Sequence, residues 1–126
     1  MSRTAIREHR RYPRIDRVLR IRVARGAEQV ATQTVNVSCG GTLCWLDQPL
    51  PVMTKVAVAL ALPKRLVHCT GVVVRCLSVP AAEAHGRGQY RAALFFTDVG
   101  REDHRAIAEF VLDSMFTRRH GRRRPA

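Results

Sequence analysis

Lysine is nearly absent from this chain, since only 2 of its 22 basic residues are lysine and 20 are arginine. Long apolar runs are absent too. No segment approaches the roughly 18 apolar residues that a membrane span requires, and the opening "MSRTAIREHRRYPR" has nothing resembling the apolar stretch of a secretory signal. A soluble cytoplasmic protein is expected. The four cysteines, Cys39, Cys44, Cys69 and Cys76, form no C-x-x-C pair, so they are read as small buried thiols in a reducing compartment. The five histidines, scattered at 9, 68, 85, 104 and 120, match no metal-ligand spacing; no metal is expected, and His68 is read as a half-buried strand residue. There is no nucleophile elbow and no Walker loop, and Ser38 has no base near it in sequence. These absences leave catalysis unsupported, so a non-enzyme without a cofactor is expected. Aromatics are scarce as well, at one Trp, two Tyr and four Phe, which leaves little surface for stacking bases of a single strand.

What is present is arginine, unevenly placed. The formal charge is +12 over 126 residues. Residues 26–116 are balanced at eight basic and eight acidic side chains, so the whole excess lies in residues 1–25 and 117–126. A neutral body carries two cationic ends. The planar guanidinium fork suits phosphate and guanine better than an ammonium does.

The hydrophobic pattern between those ends has a period of two. In "RVLRIRVAR", Leu19, Ile21 and Val23 share one face while Arg20 and Arg22 take the other. "EQVATQTVNVS", "TLCWL", "KVAVALAL", "LVHCTGVVVRCL" and "QYRAALFFTD" read as five further strands, with Gly71 expected to mark a bulge or a close backbone approach. "DQPLPVMT" and "SVPAAEAHGRG" read as loops. The period then changes. Ile107, Phe110, Val111 and Met115 are expected on one helix face, with Glu102 and Asp103 in the first turn, where the helix dipole favours them. The helix is expected to stop before "TRRHGRRRPA". The expected architecture is mostly β: a small six-stranded antiparallel β-barrel with a C-terminal α-helix. Its parts are a basic arm over 1–14, the barrel and helix over 15–116, and a basic disordered tail over 117–126.

Two short patterns carry the functional reading. "RRYPR" places Arg10 and Arg14 just before the first strand, with three residues between them. Pro13 and Tyr12 stiffen that arm, and both guanidinium groups can converge on one compact anion. "NVSCGG" places Asn36, Ser38, Gly40 and Gly41 between two strands. Asn and Ser supply donors and acceptors, and the glycines allow a positive φ and close approach of a ligand. The turn lies at the barrel's rim, so a larger residue at Gly41 is expected to leave strand pairing mostly intact. By itself each pattern is also met in arginine-rich arms and plain hairpins.

In this order, R-x-x-x-R, then [D/N]-x-S-x-x-G, then a barrel whose late strands read "GVVVRC" and "YRAALFFTD", the chain resembles the PilZ domain family over residues 7–116. The resemblance implies a PilZ-type β-barrel that binds cyclic di-GMP, a bacterial second messenger. Arg10 and Arg14 match the two family arginines that grip phosphate and guanine. Asn36, Ser38 and Gly41 match the second motif, which meets a guanine base, with Asn in place of Asp. Gly40 is counted with that site, and Arg11 is a helper on phosphate or base. His9, just before the arginine motif, does not choose between one ligand and a stacked pair. Ligand is expected to order the arm, and the loaded protein to signal through an unidentified protein partner in motility, pilus or exopolysaccharide control. Two alternatives stay open: a basic-armed barrel that binds RNA or DNA, and a PilZ-like adaptor that does not bind the ligand.

Overall fold

Alternating apolar residues close the chain into a barrel. The computed structural model describes residues 12–120, with side chains through Thr117. Strands β1 (Arg20–Arg25), β2 (Glu28–Val37), β3 (Gly41–Leu46), β4 (Lys55–Leu62), β5 (Arg65–Ser78) and β6 (Tyr90–Val99) pair antiparallel throughout, in the closed order β1-β2-β3-β6-β5-β4. Closure is made by β1 on β4, where Val23 faces Val58. The β1–β2 hairpin turns at Gly26, whose φ of 59 lies in the left-handed region that glycine enters freely. Ile21, Val23, Val58, Leu60, Val67 and Leu94 fill the interior, as the period of two requires.

Three bulges interrupt the ladders. One lies between Thr34 and Asn36 on β2, one between Val73 and Arg75 on β5, and one beside Gly71 where β5 meets β6. A bulge shifts the alternation by one residue. Val37 is therefore fully buried although Thr34 is too, which strict alternation forbids.

Helix α1 (Ala81–Ala84) is a single turn inside the expected 78–88 loop. It follows Pro80 and ends where His85 and Gly86 take positive φ. Val79 and Ala84 cover Trp45 outside the barrel, and Arg87 and Arg91 stand over the indole at 5.4 and 5.9 Å. The one tryptophan is thus used in packing and offers no face for a base.

Helix α2 (Arg101–His120) docks on the barrel through Ile107, Val111 and Ser114. Its first-turn acids pair with Arg65 of the β4–β5 hairpin, Asp103 at 2.7 Å and Glu102 at 3.7 Å. Two expectations fail here. Met115 is 39% exposed, because at 3.6 residues per turn it stands about 80° round the helix from Ile107, and Ser114 takes the inward place. The helix also continues four residues past Phe116, since the sequence has no glycine or proline before Gly121.

The cysteines are all free, and only Cys44 is buried; the other three are half-buried. Burial pushes the Cys44 thiol up to about 12 and Cys69 to about 11, the latter also raised by Asp103 and Asp98. His68 lies on β5 but is exposed, because it faces outward opposite Ala59.

Candidate functional site

The arm is tied to β2 before the first strand begins. Ile15 and Val37 exchange backbone hydrogen bonds of 2.9 and 3.0 Å. Thr34, buried in the barrel wall, accepts from Leu19 N at 2.8 Å and donates to Arg17 O at 2.7 Å. Together these contacts carry Arg14 to the end of β2, beside the β2–β3 turn.

In that turn Ser38 is the organiser. Its Oγ accepts from Gly40 N at 3.1 Å and Gly41 N at 3.2 Å, and donates to Gly41 O at 3.3 Å. The Ser38 backbone N–H also donates to Gly41 O at 2.8 Å, and Gly40 O accepts from Phe96 N at 2.8 Å, which pins the turn to β6. The Ser38 hydroxyl is thus committed to the backbone (an alternative to ladder pairing that serine offers readily). Burial raises the pKa of Cys39, which stands at the turn's tip.

The two glycines are needed for a reason other than the one expected. Neither has a positive φ; among the described residues, left-handed backbone falls at Gly26, Met53, His85, Gly86 and Gly88. A Cβ at Gly41 would overlap the Leu94 carbonyl oxygen and press on its carbonyl carbon at 3.1 Å. Gly41 is glycine because β6 passes against it, so the expectation that a larger residue there leaves strand pairing mostly intact is overturned. At Gly40 a Cβ would stand 3.0 Å from the Tyr12 ring. Tyr12 therefore lies on the turn, 39% exposed.

Between the arm and β5 runs a narrow cleft of about 120 Å³. It is lined by Arg14, Asn36, Ser38, Gly40 and Gly41 of the sequence-derived site, and by Tyr12. Arg10 and Arg11 lie outside the described residues. Asn36 uses its backbone carbonyl to accept from Thr42 Oγ1 at 2.6 Å, and its amide head has no hydrogen-bond partner among the described residues. Among the described residues no carboxylate lines the cleft.

Arg75 also lines the cleft, and sequence reasoning did not single it out. Counted strictly from the buried Val67 and Val73, position 75 is an inward position. The bulge at Val74 turns Arg75 outward, into register with Ala93. An arginine on the inward parity of an apolar strand was the available signal, because a charged side chain there requires either a partner or a bulge. Asn36 is turned outward in the same way by the bulge at Val35, into register with Leu43.

The comparisons with known proteins agree with this architecture. Similar solved structures include the inhibitor of motility MotI/DgrA of Bacillus subtilis (TM-score 0.76, 20% identity, 86% of this chain and 52% of that one). The PilZ domain of YcgR from Escherichia coli with c-di-GMP matches with TM-score 0.67 and 13% identity, over 89% of this chain and 95% of that one. The MrkH–c-di-GMP complex of K. pneumonia matches with TM-score 0.70 and 17% identity, over 88% and 54%. The chain spans about half the length of MotI/DgrA and of MrkH. No curated protein matches. The PilZ domain model matches residues 8–113, an interval that takes in both motifs, the whole barrel and most of α2, and on that match the chain belongs to the PilZ domain family.

Proposed function

We propose that this protein is a cyclic di-GMP receptor without catalytic activity of its own, which signals by contacting another protein once loaded. The observation that carries the reading is convergence. Arg14 from one motif and Asn36 from the other line a single cleft that, among the described residues, holds cations and no acid, the electrostatics that a dianionic ligand needs. The neighbours described with c-di-GMP, YcgR and MrkH, share the fold. Family membership adds the ligand class, because the motif residues match position by position.

The roles divide accordingly. Arg14, joined by Arg10 and Arg11 of the arm, holds phosphate and guanine through charge-assisted bonds. Asn36 offers its amide to a base edge. Ser38, Gly40 and Gly41 act one step back and hold the turn in shape. At about 120 Å³ the cleft is smaller than the roughly 300 Å³ at which ligand sites begin, so Tyr12 lifts from Gly40 as the ligand enters and the arm then closes over it.

Calorimetric titration of the full chain tests the reading, with cyclic di-GMP in one cell and a single-stranded oligonucleotide in another. Saturable binding of the dinucleotide alone is expected. Binding of the oligonucleotide alone, weakening steeply with salt, sinks the receptor reading in favour of a nucleic-acid barrel, and binding of neither leaves an adaptor that does not take the ligand. Hydrogen exchange across residues 7–16 should slow on ligand addition; equal exchange in both states removes the closing arm.

A further inference from the structure

We infer that Arg75 reads the N7/O6 edge of one guanine, on a floor shared with Asn36; this rests on the cyclic di-GMP reading above. The argument starts from register. Asn36 faces Leu43, Leu43 faces Ala93, and Ala93 faces Arg75. These four residues form one row across β2, β3, β6 and β5, about 14 Å long at ordinary strand spacing. Only the two ends of the row are polar. Leu43 and Ala93 between them are half-buried and apolar, a floor on which the flat face of a purine can lie.

Both ends of that row are departures from the barrel's pattern. By strict alternation positions 36 and 75 point inward with Thr34 and Val73. Each is turned out by its own bulge, at Val35 and Val74, on strands that are not neighbours. Bulges re-aim side chains, and they gather beside binding sites. Two of them presenting polar heads to the two ends of one apolar row go beyond what closing the barrel requires.

The chemistry of the two heads is complementary to guanine. Guanine carries donors at N1 and N2 on one edge, and the acceptors N7 and O6 on another. The Asn36 carbonyl oxygen suits the first. The Arg75 fork, all donors, suits the second bidentately. Adenine puts an amino donor where guanine has O6, so the same fork rejects it. Arg75 has no acidic partner among the described residues and is exposed, so nothing in the barrel competes for its fork.

The test pairs a protein change with a ligand change. Cyclic di-GMP and its 7-deaza analogue, which lacks the N7 acceptors, are titrated into the full-length parent and into Arg75→Ala, with Arg22→Ala on the exposed face of β1 as control. The parent should prefer the native ligand by about tenfold, the value of one charge-assisted hydrogen bond. Arg75→Ala should bind the native ligand roughly ten- to a hundredfold more weakly, should bind both ligands alike, and should melt as the parent does; Arg22→Ala should match the parent. The assignment is overturned if Arg75→Ala keeps the parent's preference for N7, if it loses the same factor for both ligands as a phosphate contact would, or if it binds the native ligand undiminished. A parent that does not bind cyclic di-GMP at all overturns the receptor reading first, and the assignment falls with it.

Discussion

Two concavities of the barrel differ in kind, and the larger of the two has less of the character of a binding site. The groove between α2 and the β4–β5 hairpin holds about 630 Å³, against about 120 Å³ for the cleft at the β2–β3 turn. In the groove two arginines are held by neighbouring groups, while Lys64, Arg105, Glu109 and Asp113 of its rim form no ion pair among the described residues. Arg65 is held by Asp103 and Glu102. Arg17 donates to Ser114 Oγ at 2.8 Å and lies 5.0 Å over the Phe110 ring. These contacts fasten the helix, and the volume is what remains where a cylinder meets a curved sheet. In the cleft the arginines have no described acid, the Asn36 amide has no described partner, and two bulges expose polar heads that alternation would hide. On the proposed reading the ligand goes to the smaller concavity, where the arginines and the Asn36 amide are without described partners, and volume is the poorer guide.

The largest expected effect belongs to the frame of the cleft. Gly41→Val drives a branched side chain into the Leu94 carbonyl, a backbone group that cannot step aside without breaking the β3–β6 ladder. Overpacking of this kind costs about 3 kcal/mol or more, a large part of a domain's usual 5–15 kcal/mol or so. The variant should melt far below the parent or be insoluble. A variant that folds normally and fails only in ligand binding would return Gly41 to the ligand's side of the comparison.

Next come the polar groups of the cleft itself. Arg14→Ala should lower cyclic di-GMP affinity by roughly one to two decades, the value of a charge-assisted bond, with the melting temperature unchanged because the side chain is exposed. Unaltered affinity would mean that the cleft's cations do not face the ligand. Ser38→Ala is expected to reverse the pattern. It removes the acceptor of Gly40 N and Gly41 N, so stability should fall by about 1 kcal/mol, and affinity should fall only as far as the turn loosens. Calorimetry beside thermal melts separates the two. An affinity loss for Ser38→Ala as large as that for Arg14→Ala, at unchanged stability, would make the hydroxyl a direct ligand contact.

The sequence was most legible where the physics is periodic. Ile21, Val23, Val56, Val58, Leu60 and Leu62 sit inside the barrel as alternation requires, and the helix follows from a change of period. The motif positions of the cleft were legible through the family resemblance, which joins Arg14 and Asn36 in one site where either motif alone reads as an arginine-rich arm or a plain turn. The roles within the motif were hidden, since one carbonyl on β6 decides why Gly41 is glycine, and that carbonyl lies 53 residues away in the chain. Arg75 was hidden for a related reason. A bulge is a defect in the alternation that strand reading relies on, so alternation misplaces both Asn36 and Arg75, and of the two only Asn36 had a motif to mark it.

The smallest expected effect tests the other side of the comparison. Arg65→Ala removes both ion pairs that hold the start of α2 to the hairpin, Asp103 at 2.7 Å and Glu102 at 3.7 Å. Arg65 is 46% exposed and Glu102 86%, so solvent screens the pairs and their joint contribution is about 0.2–1 kcal/mol. The helix remains docked through Ile107 and Val111, which are buried whatever happens at its first turn. The melting temperature should therefore fall slightly, more at low salt than at high salt, and cyclic di-GMP affinity should equal the parent's. An affinity loss approaching that of Arg14→Ala would mean that the groove takes part in binding after all. Its size would then have been the better guide, and the contrast between the two concavities would have to be abandoned.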